Sequence, residues 1–170
     1  MSDDLDQLAA RVVDLCRSRE LTIAVAESCT GGMVMAALTS VPGASDIFQG
    51  GVVAYANETK TGVLGVSEDL LATFGAVSKA AAWAMARGVR AQTDVDLAVS
   101  VTGVAGPGGG TGAKPVGTVI FGRVSRHDAE DEAFTVRADF DPALGREGIR
   151  RQAARMALEL LLEGAAPPSP

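Results

Sequence analysis

The chain has 170 residues, 47% of them hydrophobic and 4% aromatic, with a formal net charge of -6. That length suits one domain with a substantial core, and the acidic balance argues against nucleic acid or an anionic membrane as the main partner. No segment has the apolar length to span a bilayer. The acidic start Met1-Ser2-Asp3-Asp4 lacks a signal peptide's features, and Cys16 and Cys29 make no disulfide framework, so a cytoplasmic protein is expected.

Leu5, Leu8, Ala9, Val12, Val13 and Cys16 recur at helical spacing, which predicts a helix over 4–20 with Cys16 packed on its apolar face. Thr22-Ile23-Ala24-Val25 reads as a buried strand ending near Ala26. A helix follows from Met33 to about Ser40, and Val41-Pro42-Gly43 stops it. Residues 50–56, with Val52, Val53 and Tyr55, read as a second strand, and Asn57-Glu58-Thr59-Lys60 lies directly beyond its end. Ser67 caps a short helix, and Ser78 caps a long Ala-rich one reaching about Gln92. Residues 96–102 read as a third strand, and a glycine-rich loop fills 103–115. Strands over 117–124 and 132–140 are expected to pair as a hairpin. An amphipathic helix over 145–163 and a disordered tail over 164–170 complete the chain. The expected fold is one α/β domain over residues 1–163, a three-layer α/β/α sandwich with a mixed, mainly parallel sheet. Helix faces rich in Ala and Leu suggest a homodimer or higher homo-oligomer.

Ligands of open α/β sheets gather outside the carboxyl ends of the strands. Those ends carry Glu27-Ser28-Cys29-Thr30-Gly31-Gly32, then Tyr55, Asn57 and Lys60, then Thr102 with the glycine loop. Folding does not require polar residues repeated at one edge. Ser28 needs a base to become a nucleophile. The single histidine, His127, reads as a solvated loop residue, and with no clustered cysteines a zinc site is not expected. A lysine held neutral by burial serves as a base, which makes Lys60 the candidate; Tyr55 is placed to orient it or the leaving group. Unpaired amides at the helix start offer an oxyanion site. Cys29 remains a rival nucleophile in a Glu27–Lys60–Cys29 set, and a plain helix cap remains the structural reading of Ser28 and Thr30. The glycine loop is neither a Walker A sequence nor a dinucleotide fingerprint, because Lys114-Pro115-Val116-Gly117 and a strand follow it. Its free amides and Lys114 still suit a phosphate or ribose.

The runs Ala26-Glu27-Ser28-Cys29-Thr30-Gly31-Gly32, Tyr55-Ala56-Asn57-Glu58-Thr59-Lys60 and Gly75-Ala76-Val77-Ser78 come in one order with Thr102-Gly103-Val104-Ala105-Gly106-Pro107-Gly108-Gly109 and Lys114-Pro115-Val116-Gly117-Thr118-Val119. Together they resemble the C-terminal domain of the competence/damage-inducible CinA proteins, the nicotinamide-nucleotide amidohydrolase (NMN deamidase) family, over about residues 5–163. The resemblance implies hydrolysis of the carboxamide of nicotinamide mononucleotide to nicotinate mononucleotide and ammonia, without metal or cofactor. It implies Ser28 as nucleophile, Lys60 as base and Tyr55 assisting. Glu27, Cys29, Thr30, Gly31, Gly32, Asn57, Thr102, Gly103 and Gly106 are expected to contact the nucleotide. An arginine on or before the last helix is implied as well. Leu144-Gly145-Arg146 stands where many relatives have Gly-Asp-Arg, so Arg146, Arg150 and Arg151 are all candidates, with Arg146 preferred. Ala56 replaces a common serine and Lys79 a common acid. Many relatives carry an additional N-terminal domain, so the stand-alone amidase form is expected. The alternative is a nucleotide-binding or regulatory module without turnover, linked to competence or the DNA damage response.

Overall fold

A computed structural model describes residues 4–170 of the chain. In order the elements are α1 (Asp4–Ser18), β1 (Ile23–Glu27), α2 (Met33–Thr39), β2 (Phe48–Val53), α3 (Asn57–Gly62), α4 (Glu68–Phe74), α5 (Lys79–Thr93), β3 (Leu97–Gly103), β4 (Thr118–Ser125), β5 (Phe134–Asp139) and α6 (Gly145–Ala165). The strands form one sheet in the order β2-β1-β3-β4-β5. β1 pairs parallel with β2 and β3, while β4 runs antiparallel to both β3 and β5. Only β4 is therefore reversed, and the sheet is mixed but mainly parallel, as its sequence pattern predicts.

Period-2 alternation divides the core between two faces. Ile23, Val25, Leu97, Val99, Val101, Val119 and Phe121 point to one side and pack with α1, α2 and α6. Ala24, Ala26 and Ala98 point to the other and meet Met85 and Val89 of α5. The residues on the α5 side are small, so that helix lies close to the sheet. A Cβ on Gly122 would sit 2.8 Å from the Ser100 hydroxyl and against the Ala82 carbonyl. The helix faces rich in Ala and Leu are covered within the chain itself: Ala81, Ala82 and Ala86 of α5 and Ala153, Ala157, Leu158 and Leu161 of α6 are buried. No described helix is long and apolar enough to cross a membrane.

Several boundaries differ from the sequence expectation. The second strand stops at Val53, and Asn57–Gly62, expected as the stretch just past a strand, is a short helix. Chain leaving an edge strand has no second neighbour to hold it extended, and Ala56 is the last extended residue before the helix turns. Lys60 therefore rides on a helix and not on a strand end. α6 continues through Gly164 and Ala165, two residues into the expected tail, because Ala165 is buried and its carbonyl accepts from Arg19 Nη1 at 2.6 Å.

Candidate active site

β1 ends at the centre of the sheet, and the Ser28 amide donates to the Val101 carbonyl at 2.9 Å, tying the turn to β3. The turn closes with the Gly31 amide donating to Ser28 O at 3.0 Å. Gly31 and Gly32 have φ of +60° and +101°, conformations that suit glycine, and lead into α2. The cap of α2 is Gly32, with no side-chain capping bond. Glu27 performs that task from the strand end. Its fully buried carboxylate accepts from the amides of Gly32 at 3.0 Å, Val34 at 3.2 Å and Met35 at 2.8 Å. This corrects the expectation that the first amides of α2 are free for a ligand: a carboxylate already occupies them. It also answers the capping question, since neither Ser28 nor Thr30 caps the helix. The Thr30 side chain is buried and its hydroxyl has no partner among the described residues.

α3 sets Lys60 beneath this turn. Only 1% of the residue is exposed. Its Nζ lies 3.2 Å from Ser28 Oγ, 2.8 Å from Ala54 O and 3.2 Å from Tyr55 O. None of the three is a carboxylate. Burial without an anion holds the ammonium below the usual lysine range. The Cys29 thiol packs into the core beside α2 and is pushed up to about 11 by burial, so it stays protonated at neutral pH. With Glu27 engaged by the α2 amides, the Glu27–Lys60–Cys29 alternative loses its acid as well as its thiolate. Cys16 is likewise a packed, protonated thiol at about 11.

A cavity of about 310 Å³ opens above the pair. Of the expected residues, Ser28, Cys29, Tyr55, Asn57, Lys60, Thr102, Gly103, Gly106 and Arg146 line it. Glu27, Thr30, Gly31 and Gly32 do not; they shape the turn from behind. The Tyr55 phenol does not reach Lys60. It accepts from Arg146 Nη2 at 3.0 Å, and it is the backbone carbonyl of Tyr55 that meets the lysine. Arg146 also donates from Nη1 to Gly106 O at 2.7 Å, joining α6 to the glycine loop. Thr102 donates to Ala76 O at 2.8 Å, which brings the turn before α5 to the cavity wall. Lys114 lies outside the lining, its Nζ bonded to Phe74 O at 2.9 Å. Ala76, Val77, Val104 and Ala105 were not anticipated as lining residues. Their side chains are apolar and carry no chemical signal; only the runs Gly75-Ala76-Val77-Ser78 and Thr102-Gly103-Val104-Ala105-Gly106-Pro107-Gly108-Gly109 hinted at them.

The fold and the site define an α/β sandwich with a buried serine–lysine pair at the carboxyl ends of its parallel strands. The chain belongs to the CinA C-terminal domain family, which matches residues 5–164. A CinA-like protein of Gemmatimonas aurantiaca is 49% identical over 92% of this chain, and one of Thermotoga neapolitana is 47% identical over 88%. The chain spans about a third of those relatives' length, 35% in each case. Among solved structures, the competence/damage inducible protein CihA of Agrobacterium tumefaciens is 38% identical with a TM-score of 0.90, and 96% of each chain is covered. A CinA superfamily protein of Klebsiella pneumoniae is 33% identical with a TM-score of 0.88, covering 96% of this chain and 98% of its own.

Proposed function

We propose that the chain is an amidohydrolase that converts nicotinamide mononucleotide to nicotinate mononucleotide and ammonia, in cytoplasmic recycling of pyridine nucleotides. The observation that carries this reading is the contact between Ser28 Oγ and a buried Lys60 with no carboxylate partner among the described residues. A neutral amine has two N–H groups and one lone pair. The carbonyls of Ala54 and Tyr55 accept both protons, and the lone pair is left for the Ser28 hydroxyl. Lys60 takes the Ser28 proton as Oγ attacks the carboxamide carbon. The resulting ammonium has three N–H groups and the same three acceptors, so neither state leaves a proton unpaired. Lys60 then passes the proton to the amide nitrogen, the C–N bond breaks and ammonia leaves. Water, deprotonated by the same amine, attacks the acyl carbon; the C–Oγ bond breaks, Lys60 returns the proton to Ser28 Oγ and nicotinate mononucleotide leaves.

The oxyanion needs donors other than the α2 amides that Glu27 occupies. The backbone N–H of Cys29, a lining residue that follows the nucleophile directly, has no backbone acceptor among the described residues and suits that role. Arg146, at the rim, suits the phosphate, and the cavity volume is of the order that small ligands occupy. The test is incubation of the pure protein with nicotinamide mononucleotide, with ammonia and nicotinate mononucleotide both measured. Equimolar release supports the amidase. Ligand binding without release favours the regulatory module, to which the exposed glycine loop and relatives named for competence point.

A further inference from the structure

Arg150, unlike Arg146, is not among the residues that line the cavity. It sits one helical turn beyond Arg146 on α6, half-buried, with no carboxylate within ion-pair distance among the described residues. Its fork closes on two successive backbone carbonyls, Nε donating to Cys29 O at 3.0 Å and Nη2 to Thr30 O at 3.0 Å. These belong to the two residues that follow Ser28. In a trans peptide the C=O and the next N–H point in opposite directions. Holding Cys29 O against α6 therefore turns the Thr30 N–H away from α6. The Ser28 carbonyl is held within the turn by the Gly31 amide, which directs the Cys29 N–H out of the turn. The Cys29 N–H, on a residue that lines the cavity, thus lies beside the nucleophile. Close contact completes the clamp, since a Cβ on Gly31 would lie 3.2 Å from Arg150 Nη2.

We infer that Arg150 is a positioning residue: it grips the carbonyls of the two residues after Ser28 so that the Cys29 N–H, at the cavity lining, faces the carbonyl oxygen under attack at Ser28. This deepens the amidase reading and rests on Ser28 being the nucleophile. A planar two-pronged donor fixes both carbonyls in one geometry, whereas a lysine offers a single ammonium on a flexible stem.

The test compares wild type, Arg150→Met, Arg150→Lys and Arg155→Met, an exposed arginine of α6 paired with Asp4 and Glu159. Two rates are read: ammonia release from nicotinamide mononucleotide, and labelling of Ser28 by a fluorophosphonate, which needs base and oxyanion donors but no nucleotide pocket. Arg150→Met should lower kcat by about 10–100-fold with KM within about threefold, as loss of an interaction made in the transition state requires. Arg150→Lys should fall between it and wild type, labelling should slow in parallel, and Arg155→Met should match wild type in both. Unchanged kcat per folded molecule in Arg150→Met, or a rise in KM alone, overturns the inference. If Arg150→Met does not fold, a wild-type kcat and labelling rate in Arg150→Lys overturn it. A wild type that labels at Ser28 but releases no ammonia defeats the amidase reading alone, and the labelling ratios then decide the role of Arg150. A wild type that does not label at Ser28 defeats both.

Discussion

Lys60 is an amine buried among neutral oxygens, and two consequences of its lowered pKa have opposite practical signs. For activity, the base is competent only when neutral. Rate should rise with pH through the lowered folded-state value and level off above it, giving a kcat profile with one acid limb. Lys60→Met should cost about 10²–10⁴-fold in kcat and abolish that limb. For stability, the unfolded chain titrates at the ordinary 10.5 while the folded chain titrates lower. Between those values the unfolded state binds more protons, so stability rises with pH across that window, and the cost of burying the amine is fully present below it. Urea midpoints of wild type against Lys60→Met should therefore diverge in favour of wild type as pH rises through that window. At this scale the sequence was informative about residue types. Hydroxyls and one lysine at strand ends, with no usable histidine, already named the pair. The state of Cys29 was not legible, because its thiol is silenced by packing that no local pattern reveals.

Among the elements, α2 and α5 carry the sharpest tests. α2 has seven residues and no cap of its own, so Glu27 is its N-terminal anchor. Glu27→Gln removes the negative charge and one acceptor oxygen from three amides. It should destabilise the fold by about 1–3 kcal/mol in urea denaturation. Sequence reading looks for caps one to three residues before a helix, and an anchor reaching across the whole turn lies beyond that window. α5 crosses the sheet and the chain after α3 at Gly88, where a Cβ would run into the Leu64 carbonyl. Gly→Ala inside a helix ordinarily stabilises by about 1 kcal/mol. Gly88→Ala should reverse that sign and cost about 1–3 kcal/mol, read from the same denaturation experiment. The helical pattern showed where α5 lies but not how close it comes, since closeness depends on small residues contributed by other elements. The helix α3 was missed for a related reason: six polar residues at the end of a strand give no apolar period to read.

The whole molecule brings three neighbouring strand ends together. With the order β2-β1-β3 and those strands parallel, the turn after β1, the helix after β2 and the loop after β3 open on the same side. α6 closes the arrangement from its N-terminus, Arg146 touching Gly106 and Tyr55 while Arg150 holds the nucleophile turn. Fold class and strand direction were legible because alternating βα units with buried runs leave few other packings. The division of labour between the two arginines was not, since they stand on the same face of one helix and differ only in what the rest of the chain presents to each. The most direct measurement of the central claim is ammonia release from nicotinamide mononucleotide by wild type, Ser28→Ala and Cys29→Ala side by side. The account predicts release by wild type, a loss of at least about 10³-fold in Ser28→Ala, and a rate within a few-fold of wild type in Cys29→Ala. Ammonia release that survives Ser28→Ala but vanishes in Cys29→Ala would contradict it.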